Sequence, residues 1–417
     1  MPPLLFLAHR LPYPPNKGDK VRSYHFLKHL AQRYRVYLGT FIDDPADWQH
    51  VEKVNALCAE VYVEGIVPRR QRALSATGLF RGEPLTLSYF RSARLHRWVD
   101  EVVRRERIKT AFAFSSPMAQ YVSDLRGVAS IVDFVDLDSA KWSEYAHAKP
   151  WPFSAIYKRE SSRLLVYEHA VAAHAEVVVF VTDEEASLYR RSAPSTARIA
   201  TIRNGVDAEH FSPQHDFASP FANGEIPVVF TGAMDYWPNV DAVVWFARES
   251  LPALRQRHPA LRFYIVGMNP SPAVQSLAGD AGVAVTGRVD DVRPYLRHAR
   301  VVVAPLRVAR GIQNKVLEAM AMGKATVVTP ATAAGLGMTA AAELAVASTA
   351  EEFGLAVENL LDQQRATAMG ECARERVRRD FSWGSSFEQL DSLLRTEPRP
   401  EHVDASELDL EAAVGHK

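Results

Sequence analysis

Short apolar runs alternate with longer stretches in which apolar side chains recur every three to four positions, and the alternation persists along most of the chain. Residues 4–8 read as a buried strand, 20–33 as a helix and 36–41 as the next strand. Residues 111–115, 131–135 and 177–181 continue as central strands that end near polar or small side chains, where open α/β sheets bind their ligands. The pattern breaks at 201–207, and 211–226 is rich in Pro, Ser, Asn and Gly, as a linker is. It restarts with strands at 228–231, 262–266, 284–286, 301–304 and 325–328. The expectation is an α/β chain of two Rossmann-like, doubly wound domains, 1–203 and 227–380, joined by a linker at 204–226. A helix at 381–398 that packs back on the first domain and a loose tail at 399–417 complete it.

Length agrees, since 417 residues exceed the roughly 250–300 at which one core splits. An apolar fraction of 47% is enough for buried interiors. Forty-nine basic residues balance forty-nine acidic ones, which excludes a global field for nucleic acid or an anionic membrane and leaves only local patches. Cys58 and Cys372 lie far apart without paired spacing, so neither a disulfide framework nor a zinc site is expected, and a reducing, cytoplasmic setting is. The apolar run near Met1 has no basic residue before it and no small-residue cleavage site after it, so it reads as a strand rather than a leader. No stretch approaches the ~20 apolar residues that span a bilayer.

The segment with most chemical content is the strand at 301–304, a loop containing Gly311, and a helix entered near Asn314. Lys315 and Glu318 then lie three residues apart on one helical face. An anion near a helix N-terminus meets free N–H groups and the positive end of the dipole, so a diphosphate fits there. Lys315 would neutralise it, and Glu318 would accept hydrogen bonds from ribose hydroxyls. From spacing alone the alternative is an exposed pair worth only about 0.2–0.5 kcal/mol to its helix.

Asn204-Gly205-Val206-Asp207 with Phe211-Ser212-Pro213, Thr231-Gly232, Ile265-Val266-Gly267, Gly287-Arg288-Val289 with Asp291, and Lys315 through Glu318-Ala319-Met320-Ala321 to Gly323, in that order, resemble the family 4 glycosyltransferases. The resemblance implies the GT-B fold, two Rossmann-like domains facing across a cleft, and a retaining transfer from a nucleotide-sugar. By position it gives Glu318 the donor ribose, Arg288 and Val289 the nucleobase, and Gly18 with Lys315 the diphosphate, with Gly232 and Gly311 in the donor loops. Gly18 and Gly287 also read as plain turn glycines. Three further runs, at 19–23, 133–138 and 234–242, resemble the branch associated with exosortase and exopolysaccharide gene clusters. That branch implies a glycan or lipid-linked acceptor and work at the inner face of the membrane.

Two departures matter. Where the family usually places the first of two glutamates with seven residues between them, this chain has Arg310. An arginine offers no acceptor to sugar hydroxyls but is a fixed cation for phosphate. After Gly232, where many members have an Arg and a Lys, this chain has Asp235, Tyr236, Trp237 and Pro238. The leaving charge then falls to Lys315, Arg310, Lys17 and Arg22, and no metal or organic cofactor is expected.

On the acceptor side, Asp133, Asp136 and Asp138 follow a strand, and Asp136 falls where the family often carries an acid beside the cleft. It would orient an acceptor hydroxyl or act as base, and the bland reading of all three is a helix cap or turn. His9 ends the first strand as either a cleft residue or a structural hydrogen-bonder, and Glu168 reads as a surface or interdomain charge. Residues 69–109 are rich in arginine with Leu79, Phe80, Leu85, Leu87, Tyr89, Phe90 and Trp98 interleaved. This is either peripheral membrane contact or a set of helix faces whose apolar residues enter the core. Two rival functions stay open, a nucleotide-sugar epimerase of the same fold and a catalytically weak donor-binding subunit.

Overall fold

In the computed structural model, residues 1–15, 18–75, 78, 82–192, 198–309, 311–338 and 342–395 are described. The apolar runs form two wholly parallel sheets. The first comprises β1 (Pro3–Ala8), β2 (Arg35–Ile42), β3 (Glu60–Gly65), β4 (Thr110–Phe114), β5 (Ala129–Val135), β6 (Val177–Phe180) and β7 (Ile199–Thr201), in the order β3-β2-β1-β4-β5-β6-β7. The second comprises β8 (Ile226–Thr231), β9 (Leu261–Val266), β10 (Val283–Gly287), β11 (Val301–Ala304), β12 (Thr326–Val328) and β13 (Ala345–Val346), in the order β10-β9-β8-β11-β12-β13. In each, the first-formed strand is central and the chain winds out on both sides, so the strand order reverses there. That is the topology that opens a ligand crevice at the carboxyl edge.

The central strands read as nearly unbroken apolar runs because both faces are covered by helices. Leu5 and Leu7 of β1 enter one core with Phe134 and Phe180, whereas Leu4 and Phe6 enter another with Phe26 and Phe112. Val228 and Phe230 of β8 likewise face a core with Phe246 and Phe263, and Val229 faces the opposite layer with Ala319 and Met322.

The chain leaves the first sheet at β7 and returns to it at its end. The Trp383–Leu394 helix packs on the Gly18–Leu30 helix, with Trp383, Leu390 and Leu393 inside the first domain's core. The Trp383 indole stacks on His25 at 4.4 Å, and His29 pairs with Asp391 at 2.8 Å. A Cβ on Gly205 would lie 2.7 Å from the indole, so the crossing strand of chain is pressed against this helix. Two segments therefore cross between the domains side by side.

Most of the interleaved apolar residues between 69 and 109 enter the core. Leu87 is buried, and Tyr89, Phe90 and Trp98 pack against the cluster around Leu95 and Val99. Leu79, Phe80 and the tail at 399–417 lie outside the described residues. Among the described residues no helix is long and apolar enough to cross a membrane.

Candidate functional site

The carboxyl ends of β10, β9, β8 and β11 lie side by side and form one edge of the second domain. The turns there are tight. Gly232 has φ +155°, and a Cβ on it would meet Asn239 Nδ2 at 2.8 Å and Lys315 Nζ at 3.0 Å. Gly267, φ +158°, approaches so closely that a Cβ would fall 1.7 Å from the Gly232 carbonyl oxygen. Its N–H donates to the Gly287 carbonyl at 3.2 Å, which places exposed Arg288 and half-buried Val289 at the outer end of the same edge.

At the other end of this edge, the Asn314–Ala321 helix begins directly after the Gly311 loop. Val316, Leu317, Ala319 and Met320 bury its apolar face, leaving Lys315 and Glu318 half-buried on the other. Lys315 Nζ donates to Asn239 Oδ1 and sits 4.5 Å from the centre of the Phe230 ring. Asn239 is fixed in turn by donating from Nδ2 to the Ala233 carbonyl at 2.8 Å. Burial pushes the Lys315 ammonium down to about 7, against the field of Glu318. Burial also pushes the Glu318 carboxyl up to about 7, against the field of Lys315. Neither charge is satisfied by the other, so an incoming anion beside Lys315 and a hydrogen-bond donor beside Glu318 would each restore what burial removes.

The loop before this helix is clamped against the first domain. A Cβ on Gly311, φ +61°, would come 2.7 Å from Asp136 Oδ1 and 3.4 Å from a Val181 methyl, so the loop abuts the carboxyl ends of β5 and β6. On its other side a Cβ on Gly335 would lie 2.5 Å from the Gly311 carbonyl oxygen. Asn314 Nδ2 lies 3.7 Å from the Cβ position of Gly18, which brings the start of the Gly18–Leu30 helix to the start of the Asn314–Ala321 helix.

Two non-glycine residues are forced into positive φ where adjacent strands end. Ser115 follows β4 at φ +74°, and Val135, the last residue of β5, has φ +66°, an outlier for a β-branched side chain. Hydrogen bonds hold both, from Ser115 N to the Asp133 carbonyl (2.8 Å) and from Val181 N to the Val135 carbonyl (2.7 Å). Such strain persists only where surroundings over-determine it, and here it sets the direction of Asp136.

Behind Asp136, Asp138 opens the Asp138–Ala148 helix and accepts from Ser116 Oγ at 3.2 Å. Lys141 lies one turn further on. Burial opposes its charge, but the fields of Asp138, Tyr236, Asp136 and Tyr145 outweigh it and hold the ammonium above the usual lysine range. Tyr236 belongs to the second domain, so Lys141 faces across the cleft. A cavity of about 250 Å³ is lined by Tyr145 from the first domain and by Trp237, Arg307, Val308, Ala309 and Ala331 from the second.

Several expectations change. Arg22 and Asp133 do not face the cleft: both are fully buried and paired through Arg22 Nε to Asp133 Oδ2 at 2.7 Å and Nη2 to Oδ1 at 3.2 Å. Arg22 Nη1 also donates to the Ile202 carbonyl (2.7 Å) and to Asn204 Oδ1 (3.0 Å), and Asn204 Nδ2 donates to Asn314 Oδ1 (3.3 Å). A guanidinium so fully used is a structural tie between the first domain and the crossing chain, and is no free cation for phosphate. Glu168 is not a surface charge but wholly buried behind Asp138, accepting from Ser139 N at 3.1 Å, and burial pushes it up to about 8. His9 does sit at the end of β1, stacked on Phe114 with Nε2 3.3 Å from Asp19 Oδ2. Burial works against the Asp19 charge, yet His9 and Arg10 hold it well below the usual carboxylate range. Lys17 and Arg310 lie outside the described residues.

Neither Asn239 nor Lys141 is given a role in the sequence, and Glu168 reads there only as a surface or interdomain charge. Asn239 stands within the 234–242 run that carried the narrower resemblance, which was the available signal; the other two are ordinary helical residues until the two helices that hold them are packed together.

Comparison with known proteins bears on the domain that forms this edge. Residues 225–363, the domain that carries it, match the family model "Glycosyl transferases group 1". No curated protein sequence matches the chain. Among solved structures, the chain is similar to sucrose-phosphate synthase from Thermosynechococcus elongatus, at 17% identity and TM-score 0.71, covering 95% of this chain and 98% of that one. It is similar to HepE from Anabaena in complex with UDP-glucose, at 14% identity and TM-score 0.66, covering 94% and 99%. It is also similar to a trehalose 6-phosphate synthase from Burkholderia multivorans, at 12% identity and TM-score 0.66 over the whole of both chains. The fold is GT-B, and with the family match on its second domain the chain is a glycosyltransferase.

Proposed function

We propose that this glycosyltransferase moves a sugar from a nucleoside-diphosphate sugar to a hydroxyl of a glycan or lipid-linked acceptor, with retention of anomeric configuration and without a metal, in the synthesis of exopolysaccharide or cell-surface polysaccharide. The observation that carries the reading is the Lys315 ammonium, half-buried beside Gly232 at the first turn of the donor helix and starved of an anionic partner. A diphosphate placed there would meet that charge and the helix N-terminus together. Glu318, one turn on, would take the ribose hydroxyls, and Arg288 with Val289 at the outer end of the edge would flank the base. The UDP-glucose complex of HepE, on the same fold, makes uridine the first base to try.

In this reading the bond from the anomeric carbon to the phosphate oxygen breaks while the acceptor oxygen bonds to that carbon on the same face. The acceptor proton passes to the departing phosphate oxygen, and Lys315 stabilises the charge that develops there. Asp136, aimed by the strained Val135 and set against the Gly311 loop, would orient the acceptor hydroxyl. Two of the three runs behind the narrower resemblance, 133–138 and 234–242, approach from opposite sides of the cleft. Tyr145, on the helix that begins at Asp138, meets Trp237 with ring centres 6.3 Å apart. An acceptor sugar would lie along those rings.

Incubating the purified protein with UDP-, GDP- and other nucleotide-sugars and lipid-linked saccharide acceptors tests the reading. Transfer of the sugar is expected. An isomerised donor without transfer, or binding with neither, contradicts it.

A further inference from the structure

The turn between the Asp138–Ala148 and Phe153–His174 helices carries large apolar side chains into solvent. Trp151 is 81% exposed, Phe153 54% and Ile156 36%. Soluble surfaces scatter such residues singly; here three fall within six positions at the tip of one helical hairpin. Their neighbours share the character. The carbonyls of Gly78 and Glu83 accept from Arg159, and the N–H groups of Leu85 and Thr86 donate to Glu160, so the chain that follows the Pro68–Ser75 helix is bound to the hairpin's second arm. That short helix packs on Leu85–Tyr89 and exposes Leu74 at 48%, and Val67 just before it is 62% exposed.

The exposed charges on these two segments are all of one sign. Within 67–75 and 149–166 the exposed ionic side chains are Arg69, Arg70, Arg72, Lys149, Lys158 and Arg163. The single acid, Glu160, is buried and used up by the backbone of Leu85 and Thr86. In a chain with as many acids as bases, a face with six exposed cations and no exposed acid is a local departure from the balance.

From this combination we infer that the hairpin tip and the Pro68–Ser75 helix form a docking face for an anionic lipid bilayer. Trp151, Phe153, Ile156, Val67 and Leu74 enter the headgroup boundary while the surrounding arginines and lysines meet lipid phosphates. Nucleic acid would use the cations and aromatic rings but gives the aliphatic Ile156, Val67 and Leu74 nothing to stack on. The face lies outside the donor edge, so the inference stands whichever sugar is transferred. It moves membrane contact away from residues such as Leu87 and Trp98, which the core takes up, to the rim of the first domain. The arm that bears Trp151 also bears Asp138, Lys141 and Tyr145, so an acceptor held in the bilayer would lie next to the cleft.

Flotation of the full-length protein with phosphatidylglycerol vesicles, against phosphatidylcholine vesicles, tests this. The expected result is partition onto the anionic vesicles at low salt, weakening as salt screens the cations. Reversing Arg69 and Arg70 to Glu should lower partition about tenfold or more. A Trp151→Ser, Phe153→Ser double variant should abolish it with an unchanged thermal midpoint, since both side chains are in solvent. Brominated lipid should quench the wild-type fluorescence more than that of Trp151→Phe. Protein that stays unbound at low salt overturns the inference, as does partition indifferent to the double variant. Capture of a single-stranded oligonucleotide in place of vesicles, or a dimer broken by the same substitutions, also overturns it.

Discussion

Lys315 Nζ donates to Asn239 Oδ1, a bond that aims an ammonium with no ion-pair partner among the described residues at the space in front of Gly232, where no side chain fits. If this cation stabilises the departing diphosphate, Lys315→Ala should lower kcat by about 10²–10³-fold. The fold should survive, because the lysine is only half-buried and its helix is anchored by Val316, Leu317 and Met320. Asn239→Ala should lower kcat less, by freeing the ammonium to wander. Steady-state rates with circular dichroism decide both.

Donor binding should move protons in opposite directions on the two sides of neutrality. Burial holds Lys315 down to about 7, and a bound diphosphate favours its charged form; above about pH 7 binding should therefore take up a proton and weaken as pH rises. Burial holds Glu318 up to about 7, and ribose hydroxyls favour its carboxylate, so below about pH 7 binding should release a proton and weaken as pH falls. Calorimetry of UDP binding in buffers of different ionisation enthalpy reads this directly. Glu318→Gln should remove the acid limb and move the alkaline limb to lower pH, because the field of Glu318 no longer supports the Lys315 charge.

Glu168 gives the stability of the first domain a pH dependence of its own. Its folded-state value, raised to about 8, means that the neutral form suits the interior. The contribution is fully present below the ordinary range near 4.5 and is lost as pH rises towards 8, at about 1.4 kcal/mol per unit. Glu168→Gln should match the wild-type thermal midpoint near pH 4.5 and exceed it increasingly up to pH 8.

Arg22→Met should act on stability rather than chemistry. It leaves Asp133 charged and unpaired in a fully buried place and releases the Ile202 carbonyl, a loss of about 3–5 kcal/mol. Arg22→Lys should not rescue it, since a point charge cannot span two carboxylate oxygens, a carbonyl and an amide at once. Chemical denaturation measures the loss, and UDP affinity of the protein that remains folded should change little.

How much of this could be read from the chain follows from which forces act locally. Strands buried on both faces, such as Pro3–Ala8 and Val301–Ala304, announce themselves as apolar runs. The strands left unread are edge strands: Glu60–Gly65 holds only three apolar residues between two glutamates and none of them is buried, while Ile199–Thr201 and Ala345–Val346 are too short to show a period. In the site, Lys315 and Glu318 share a helix, so their spacing fixes their common face. Arg22 and Asp133 are 111 residues apart, and only the packing of the Gly18–Leu30 helix over β5 turns two cleft candidates into a buried pair. Lys141 and Glu168 take their electrostatics from the opposite domain and the neighbouring helix, and no local pattern marks that. Asp136 was legible by resemblance, but the strained Val135 that aims it was not, because a positive φ at valine is imposed by its neighbours rather than preferred by its sequence.

The most direct test is the anomeric configuration of the product, followed by proton NMR during transfer in the presence of EDTA, for wild type and Lys315→Ala. The account predicts turnover that EDTA leaves unchanged, a first-formed product with the donor's configuration, and a rate about 10²–10³-fold lower in the variant. An inverted product, loss of turnover on chelation, or a Lys315→Ala rate equal to wild type would contradict it.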